Sequence, residues 1–449
     1  MLDVIKKIYI TIPVQRLTFL KYLPDSLLYG KAYKQCQPAF DPGLILPQLF
    51  SMLVYARDNT IFWGTRIPKK LSLESTMEVY NQLPVISSFD LATNLHDYTS
   101  KQFTRRNSYL ATTGGTGRNP TTIRLSNESF GLEWAHIHSM WREIGYKKQE
   151  HLKLTIVGKR LAGDQLITVN PIYNELVVDF FKINDLNFDD FLILTDKYRI
   201  DYLESYPSLA MEFLEYLVRH GATMKLKGIM LGSEGITDQQ LIDLTNFFRC
   251  PIIRWYGQSE KVVLAYSINN GDMFKVFTSY GFPDVIGHPS GCGELIGTTF
   301  INKALPLIKY RTGDYGRILS RGDGLWIQEI QGRWGKDFIY LDEKKRIPTT
   351  AINIHSAIQS QILFYQLIQN EYGKLHILIL PKKGTSKSAE EIAGIVQSEI
   401  ARKLKGFVVT ASIVDSESQI QRSHRGKMIM LVQNLKDIKS DSGNYCNLQ

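Results

Sequence analysis

Between residues 108 and 310 the chain alternates short apolar runs with longer stretches of helical period, and the runs tend to end in small or polar residues. Apolar runs at residues 154–157, 176–181 and 191–194 read as strands. A helix expected over residues 209–220 stops at Gly221, and a buried strand at 227–231 runs into Gly232-Ser233-Glu234. A second helix, over 238–248, leads to a strand at 251–255 that ends in Tyr256-Gly257-Gln258-Ser259-Glu260. Parallel strands need a crossover of a dozen or more residues, usually a helix, so this order predicts a parallel sheet. Polar residues at successive strand ends then gather along its carboxyl edge, where ligands of open α/β sheets bind.

The flanking segments set the domain organisation. Residues 1–105 read as mostly helical: apolar residues recur at helical spacing over 46–56, and Leu83-Pro84-Val85-Ile86 marks an extended entry to the next segment. A strand at 121–126 is followed by a helix over 128–145 with Phe130, Trp134 and Ile137 on one side; Trp134, Phe180 and Phe181 read as core. Further strand-like runs lie at 293–300 and 307–310. Gln331-Gly332-Arg333-Trp334-Gly335-Lys336-Asp337 is a charged, Gly-rich break before a new apolar strand at 338–341. The expected organisation is a large N-terminal domain over 1–335 and a small C-terminal α+β domain over 336–435. A polar tail over 436–449 follows. Within the small domain, a helix is expected at 354–361, a strand at 375–380, a helix at 389–404 and a strand at 408–414.

A chain of 449 residues exceeds one ordinary core, which agrees with two domains. An apolar content of 44% excludes a disordered chain. The four cysteines are scattered without a C-x-x-C pair and read as reduced thiols in a cytoplasmic protein. No run reaches the roughly 18 apolar residues that span a bilayer. Pro13 interrupts the short apolar patch at residues 8–14 and no small-residue cleavage site follows, so no signal peptide is expected. The net charge is +9, and residues 331–449 hold 17 Lys/Arg against 11 Asp/Glu. That excess suits ATP or an acidic cofactor, and leaves peripheral contact with an anionic membrane open. Aromatic residues are not interleaved with the basic ones as a single-strand binder requires, so no nucleic-acid partner is expected.

Chemistry concentrates first in Thr112-Thr113-Gly114-Gly115-Thr116-Gly117-Arg118-Asn119-Pro120. Glycines let the backbone turn its N–H groups inward and Thr hydroxyls add donors, which makes a concavity for phosphate oxygens. Arg118 complements a polyanion. The stretch is not a G-x-x-x-x-G-K-[ST] loop, because no Gly-Lys-Ser/Thr follows. Alone, it fits an ordinary turn as well as a phosphate site; its weight comes from the motifs downstream.

Those motifs are Gly232-Ser233-Glu234, Tyr256-Gly257-Gln258-Ser259-Glu260, Gly293-Glu294-Leu295, the run from Ala304 to Asp314 that ends Tyr310-Arg311-Thr312-Gly313-Asp314, Gly332-Arg333, and Gly426-Lys427. In this order, over residues 108–430, the chain resembles the adenylate-forming superfamily of acyl-CoA synthetases, adenylation domains and luciferases. The nearest likeness is to its phenylacetate–CoA ligase branch and the CapK-like proteins of capsular polysaccharide loci. The resemblance implies ATP-dependent activation of a small carboxylic acid as an acyl-adenylate, followed by transfer to a thiol (coenzyme A or a carrier) or an amine. It implies that Thr113, Gly114, Gly115, Thr116 and Arg118 wrap the phosphates and that Glu260 holds Mg²⁺, a hard cation suited to carboxylate and phosphate oxygens. Tyr256 would lie along the adenine, with Ser233, Glu234, Gly257 and Ser259 lining the nucleotide pocket. Asp314 would accept the ribose hydroxyls, Arg333 would reach ribose or phosphate, Lys336 would mark the hinge, and Lys427 would bridge carboxylate and α-phosphate.

Three stretches depart from the family's pattern. In the phosphate loop a second Ser/Thr and a Gly usually precede the closing x-Pro, where this chain has Gly117 and Arg118. The hinge reads Trp334-Gly335-Lys336-Asp337 where a pair of Asp is usual, and the stretch before Lys427 reads Gln421-Arg422-Ser423-His424-Arg425. The alternatives are an adenylyltransferase of the coenzyme F390 synthetase type, which the same branch also resembles, and a non-catalytic nucleotide-binding protein.

Overall fold

The computed structural model describes residues 19–112, 121–157, 159, 161–184, 186–233, 236, 238–269, 271–286, 292–331, 338–343, 345–352, 354, 358, 361–381, 385–415, 419–421 and 431–435. The chain divides into two compact units. One comprises Met1–Ser87, His96–Tyr109 and Arg124–Gln331; the other comprises Ser88–Leu95, Leu110–Ile123 and Gly332–Gln449. Among the described residues no helix is long and apolar enough to cross a membrane.

The N-terminal part is helical, as its periodicity predicts: α1 (Asp25–Tyr29), α2 (Lys31–Gln35), α3 (Ile45–Asn59), α4 (Ile61–Gly64), α5 (Thr76–Gln82) and α6 (Ser88–Tyr98). Strands β1 (Ser108–Thr112) and β2 (Thr122–Ser126) bracket residues 113–120, which lie outside the described residues. Helix α7 (Asn127–Arg142) starts where the Ser126 hydroxyl accepts the Ser129 N–H, an N-cap that satisfies one of the free donors of the first turn.

Twelve strands then build the sheet of the large unit: β3 (Lys153–Ile156), β4 (Ile167–Asn170), β5 (Glu175–Val178), β6 (Tyr202–Ser205), β7 (Gly228–Leu231), β8 (Ile252–Gly257), β9 (Leu264–Ile268), β10 (Met273–Val276), β11 (Gly281–Ile286), β12 (Cys292–Thr299), β13 (Tyr310–Arg321) and β14 (Gly324–Gln331). Their spatial order is β11-β12-β13-β14-β10-β9-β8-β7-β6-β3-β5-β4. Strands β5, β3, β6, β7 and β8 run parallel, and every pairing from β8 to β11 is antiparallel. The parallel half is the part that the strand–helix–strand order predicts. Helices α8 (Phe188–Tyr198), α9 (Pro207–Arg219) and α10 (Asp238–Phe248) supply its crossovers.

Side-chain alternation assigns the two faces. Leu154, Leu203, Ile229, Leu231 and Ile252 pack with Phe191, Phe213 and Leu244 of the crossover helices. Tyr202, Met230 and Ile253 point the other way, into a cluster with Met140 and Trp141 of α7.

One expected strand is a helix. Residues 191–194 belong to α8, in which Phe188, Phe191 and Thr195 are buried at a spacing of three and four. The four-residue apolar run is part of a longer helical period, and a run that short does not distinguish the two structures. The run at 307–310 contributes only Tyr310 to a strand, because Lys309 takes a left-handed conformation (φ 52°) just before β13.

The second unit contains a hairpin, β15 (Phe338–Tyr340) with β16 (Arg346–Pro348), and a four-stranded sheet. The sheet orders β17 (Ile362–Gln369), β18 (Lys374–Pro381), β19 (Val408–Ile413) and β20 (Leu431–Gln433) as β19-β18-β17-β20. Helix α11 (Ala389–Lys403) opens with a capping box between Ser388 and Glu391 and buries Ile392, Val396 and Ile400 against the sheet. The helix expected at 354–361 falls largely outside the described residues.

Candidate active site

The carboxyl ends of β6, β7 and β8 carry the polar groups that sequence pattern places there. At the end of β6 the Ser205 hydroxyl donates to the Ile156 carbonyl at 2.9 Å and is buried. After β7, Ser233 is exposed and held in the left-handed region (φ 70°). The glycine before it is required by packing: a Cβ at Gly232 would sit 2.1 Å from two ring carbons of Trp255. Strand β8 ends at Tyr256 and Gly257, and the turn that follows carries Gln258, Ser259 and Glu260.

Strand β13 brings the second motif to the same place. Its register against β12 slips between Glu294 and Ile296, so that Leu295 alone faces the stretch from Thr312 to Asp314. Gly313 takes a positive φ of 80° in this bulge, which suits Gly. Thr312 fixes the bulge by donating its hydroxyl to the Leu295 carbonyl (2.7 Å) and accepting the Asp314 N–H (3.1 Å). Beside it Arg311 donates through Nε to the buried Glu294 at 3.0 Å. The start of β13 is tied to the extended segment at Ile86, whose N–H donates to the Lys309 carbonyl and whose carbonyl accepts the Arg311 N–H.

The two motifs are cross-linked in a reciprocal way. Tyr256, from the first, donates its hydroxyl to Oδ2 of Asp314 in the second, at 3.0 Å. Tyr310, from the second, donates to Oε1 of Glu260 in the first, at 2.7 Å. Both tyrosines are buried, at 2% and 0% exposure. Each carboxylate is therefore held by a phenol from the opposite motif.

The loop bearing Glu260 is anchored from behind. Lys261 is buried, adopts φ 58° and pairs with Glu133 on α7, which also accepts the Tyr280 hydroxyl at 3.1 Å. Burial and the Glu133 carboxylate hold the Tyr280 phenol well above its ordinary pKa, so it stays a donor. The Gln258 side-chain amide has both its nitrogen and its oxygen buried without a hydrogen-bond partner among the described residues. A buried amide left unmatched is costly, and this one presents a donor and an acceptor side by side.

Of the site residues expected from sequence, Tyr256, Glu260 and Asp314 come together in this network. Gly257 and Ser259 are exposed in the same turn, and Ser233 ends the neighbouring strand. Thr113, Gly114, Gly115, Thr116, Arg118, Glu234, Arg333, Lys336 and Lys427 lie outside the described residues. Tyr310, Gln258 and Lys261 are site residues that sequence reasoning did not single out. All three stand inside or next to the quoted motifs, but only the structure shows that Tyr310 meets Glu260 and that Lys261 meets Glu133.

Among the described residues no three His, Cys, Asp or Glu gather as a metal cluster. A single buried carboxylate such as Glu260, with one oxygen bonded to Tyr310, still fits Mg²⁺, which usually takes one or two carboxylates and completes its shell with phosphate and water.

No family model and no curated protein matches this sequence. Solved structures do. 2-Hydroxyisobutyryl-CoA ligase, in complex with 2-HIB-AMP and CoA in the thioesterification state, matches with a TM-score of 0.53 at 13% identity. The match covers 93% of this chain and 91% of that one. An open conformation of that ligase, in complex with 2-HIB-AMP and CoA, gives a TM-score of 0.50 at 14% identity, over 88% and 93% of the two chains. At these identities the likeness shows the fold, and this chain has the mixed α/β fold of the adenylate-forming enzymes.

Proposed function

We propose that this protein is an AMP-forming ligase that activates a small carboxylic acid with ATP as an acyl-adenylate and passes the acyl group to a thiol or an amine. The observation that carries this reading is the reciprocal pair of tyrosine–carboxylate bonds, Tyr256 to Asp314 and Tyr310 to Glu260, at the ligand-binding edge of the sheet. The solved structures of matching fold hold an acyl-AMP and CoA, which supports ATP as the activating substrate and coenzyme A as a thiol acceptor.

Activation joins a carboxylate oxygen to the α-phosphorus of ATP while the bond to pyrophosphate breaks, so charge must be offset along three phosphates. In this reading Asp314, oriented by Tyr256, accepts from the ribose hydroxyls. Gln258 offers its unmatched amide to the adenine, whose edge presents a donor and an acceptor together. Glu260, oriented by Tyr310, would hold Mg²⁺, which when bound offsets phosphate charge. The phosphates fall to Thr113, Gly114, Gly115, Thr116 and Arg118, and the pocket wall to Ser233, Glu234, Gly257 and Ser259. Lys427 would align the acid with the α-phosphate, Arg333 would reach ribose or phosphate, and Lys336 would serve as pivot of a C-terminal domain that reorients between half-reactions. Resemblance to the CapK-like branch makes surface polysaccharide assembly the proposed setting, in the cytoplasm.

Pyrophosphate exchange into ATP, measured across a panel of carboxylic acids, tests the proposal. Exchange that depends on one class of acid is the expected result. Exchange that depends on an added hydroxyl or phosphate acceptor and on no acid would favour adenylyl transfer of the coenzyme F390 synthetase type. ATP binding with no exchange would leave a nucleotide-binding protein.

A further inference from the structure

The sheet face covered by α7 carries a cavity that the candidate active site does not use. Lys153 and Thr155 of β3, Glu175 and Val177 of β5 and Glu204 of β6 alternate with core residues Leu154, Ile156, Leu176 and Leu203, so they face away from the crossover helices. With α7 they line an open cavity of about 210 Å³. Trp134 and Trp141 of α7 form one aromatic wall, and Tyr146 and Tyr173 add to it. Trp134, expected in the core, is partly buried and packs against the cluster of Met140 and Trp141, and it also lines this wall.

The charges inside do not cancel. Lys153 is 4% exposed, stands 3.3 Å from Glu175 and bonds Glu204 as well. Its ammonium also lies 5.0 Å from the centre of the Trp141 ring. Two carboxylates against one ammonium leave a net negative charge beside aromatic faces, a setting that attracts a second cation. The other buried ammonium, Lys148, is balanced by Asp25 at 2.7 Å. Glu175 is further engaged by Thr155 at 3.1 Å and Asn170 at 3.0 Å, whereas Glu204 bonds only Lys153 among the described residues, through Oε2. At the rim the opposite sign prevails: Lys159 is exposed and has no ion pair among the described residues. The Trp141 indole N–H is buried in a side chain 1% exposed and has no hydrogen-bond partner among the described residues. A donor left unmatched in a cavity wall is the mark of an absent acceptor.

We propose that this cavity binds a small zwitterion of the amino acid type. Its ammonium lies against Glu204 and the aromatic faces, its anionic group reaches toward Lys159, and an acceptor atom takes the Trp141 N–H. Behind the cavity wall Trp141 meets Trp255 edge to face at 6.1 Å, and Trp255 is the ring that Gly232 packs against. The site stands on this geometry whether or not the chain forms acyl-adenylates.

Two tryptophans in the wall make intrinsic fluorescence the readout. Free L-amino acids of graded size are titrated into the full-length protein, each alongside its N-acetyl form and its carboxamide. Saturable quenching or enhancement by at least one free amino acid is expected, with roughly tenfold weaker binding of its N-acetyl form, which lacks the cation. Glu204→Gln should weaken the free amino acid by a similar factor, and Lys159→Ala should weaken it but not its carboxamide. Thermal midpoints and ATP affinities of the same preparations report whether a variant is folded. Should Glu204→Gln fail to fold, Trp141→Phe, which keeps the aromatic face and removes the N–H, takes its place with the same expected weakening. Equal affinity for the N-acetyl form, binding indifferent to these substitutions, or no saturable response to any amino acid would overturn the proposal. Pyrophosphate exchange assayed separately keeps a failure here distinct from a failure of the adenylation reading.

Discussion

Replacing Tyr310 with Phe removes one oxygen from a side chain with no solvent exposure and leaves its ring in place. The lost group is the donor, 2.7 Å away, to a carboxylate that is itself only 6% exposed. A hydrogen bond to a charged group contributes about 1.5–3 kcal/mol net, and its loss leaves Glu260 buried with one donor fewer. The expected cost is therefore about 2 kcal/mol, a fall of roughly 3–8 °C in the thermal midpoint of a unit this large. Glu260→Met makes the complementary change, removing the acceptor at 2.7 Å from the Tyr310 hydroxyl, at a similar cost. Together the two substitutions exchange a polar pair for an apolar one of similar shape, which can be nearly neutral. The double variant should thus be more stable than the sum of the single losses predicts by about 1–3 kcal/mol. Urea unfolding of the four proteins, followed by tryptophan fluorescence, gives that coupling directly. Strict additivity would show that the two groups do not interact in solution, and the cross-linked site would lose its main support.

Three further outcomes follow from the same geometry. Asp314→Ala should weaken ATP binding roughly ten- to hundredfold in calorimetry, with Tyr256→Phe producing a smaller loss; unchanged affinity would remove Asp314 from the site. Gly232→Ala places a Cβ 2.1 Å from the Trp255 ring and should destabilise by about 1–3 kcal/mol, an effect reduced in a Trp255→Leu background. Burial lowers the pKa of His136 from 6.5 to about 4; its Nδ1–H donates to the Leu132 carbonyl, and Nε2 accepts the Ser279 hydroxyl at 2.9 Å. The unfolded chain takes up that proton first, so stability present above about pH 6.5 is lost as pH falls toward 4, by about 1–2 kcal/mol between pH 6.5 and 5. Urea midpoints of the wild type should fall more steeply over that interval than those of His136→Gln, and parallel slopes would contradict the assignment.

Much of the parallel half of the sheet was legible, because β5 and β7 are apolar runs followed by the crossover helices α8 and α10; β6, Tyr202–Ser205, carries Glu204 and Ser205 and does not read as a strand. Residues 191–194 misled because Phe-Leu-Ile-Leu has no period of its own, and only its flanks at Phe188 and Thr195 reveal a helix. The antiparallel half was less legible. The pairing of β10 with β14 joins short segments through contacts that leave no mark on local composition, and the same holds for β4 against β5 at the opposite edge. At the site, Glu260 and Asp314 could be named because the motifs that carry them resemble those of a known family. Their partners could not, because a tyrosine that orients a carboxylate and one that fills a core look alike in sequence. Trp134 shows the same limit: helical spacing marks a side that is turned inward, but not whether packing or a cavity lies beneath it.

The crossed tyrosines also bear on how a nucleotide would meet this protein. Glu260 and Asp314 already have their orientations fixed by buried donors, so ordering them contributes little to the entropy lost on association. Each immobilised flexible side chain otherwise subtracts about 0.5–1.5 kcal/mol from affinity. The carboxylate pair thus acts as a preset frame. Association heats measured with the Tyr256 and Tyr310 variants would then shift toward a larger entropic penalty, even where contacts with the nucleotide are retained.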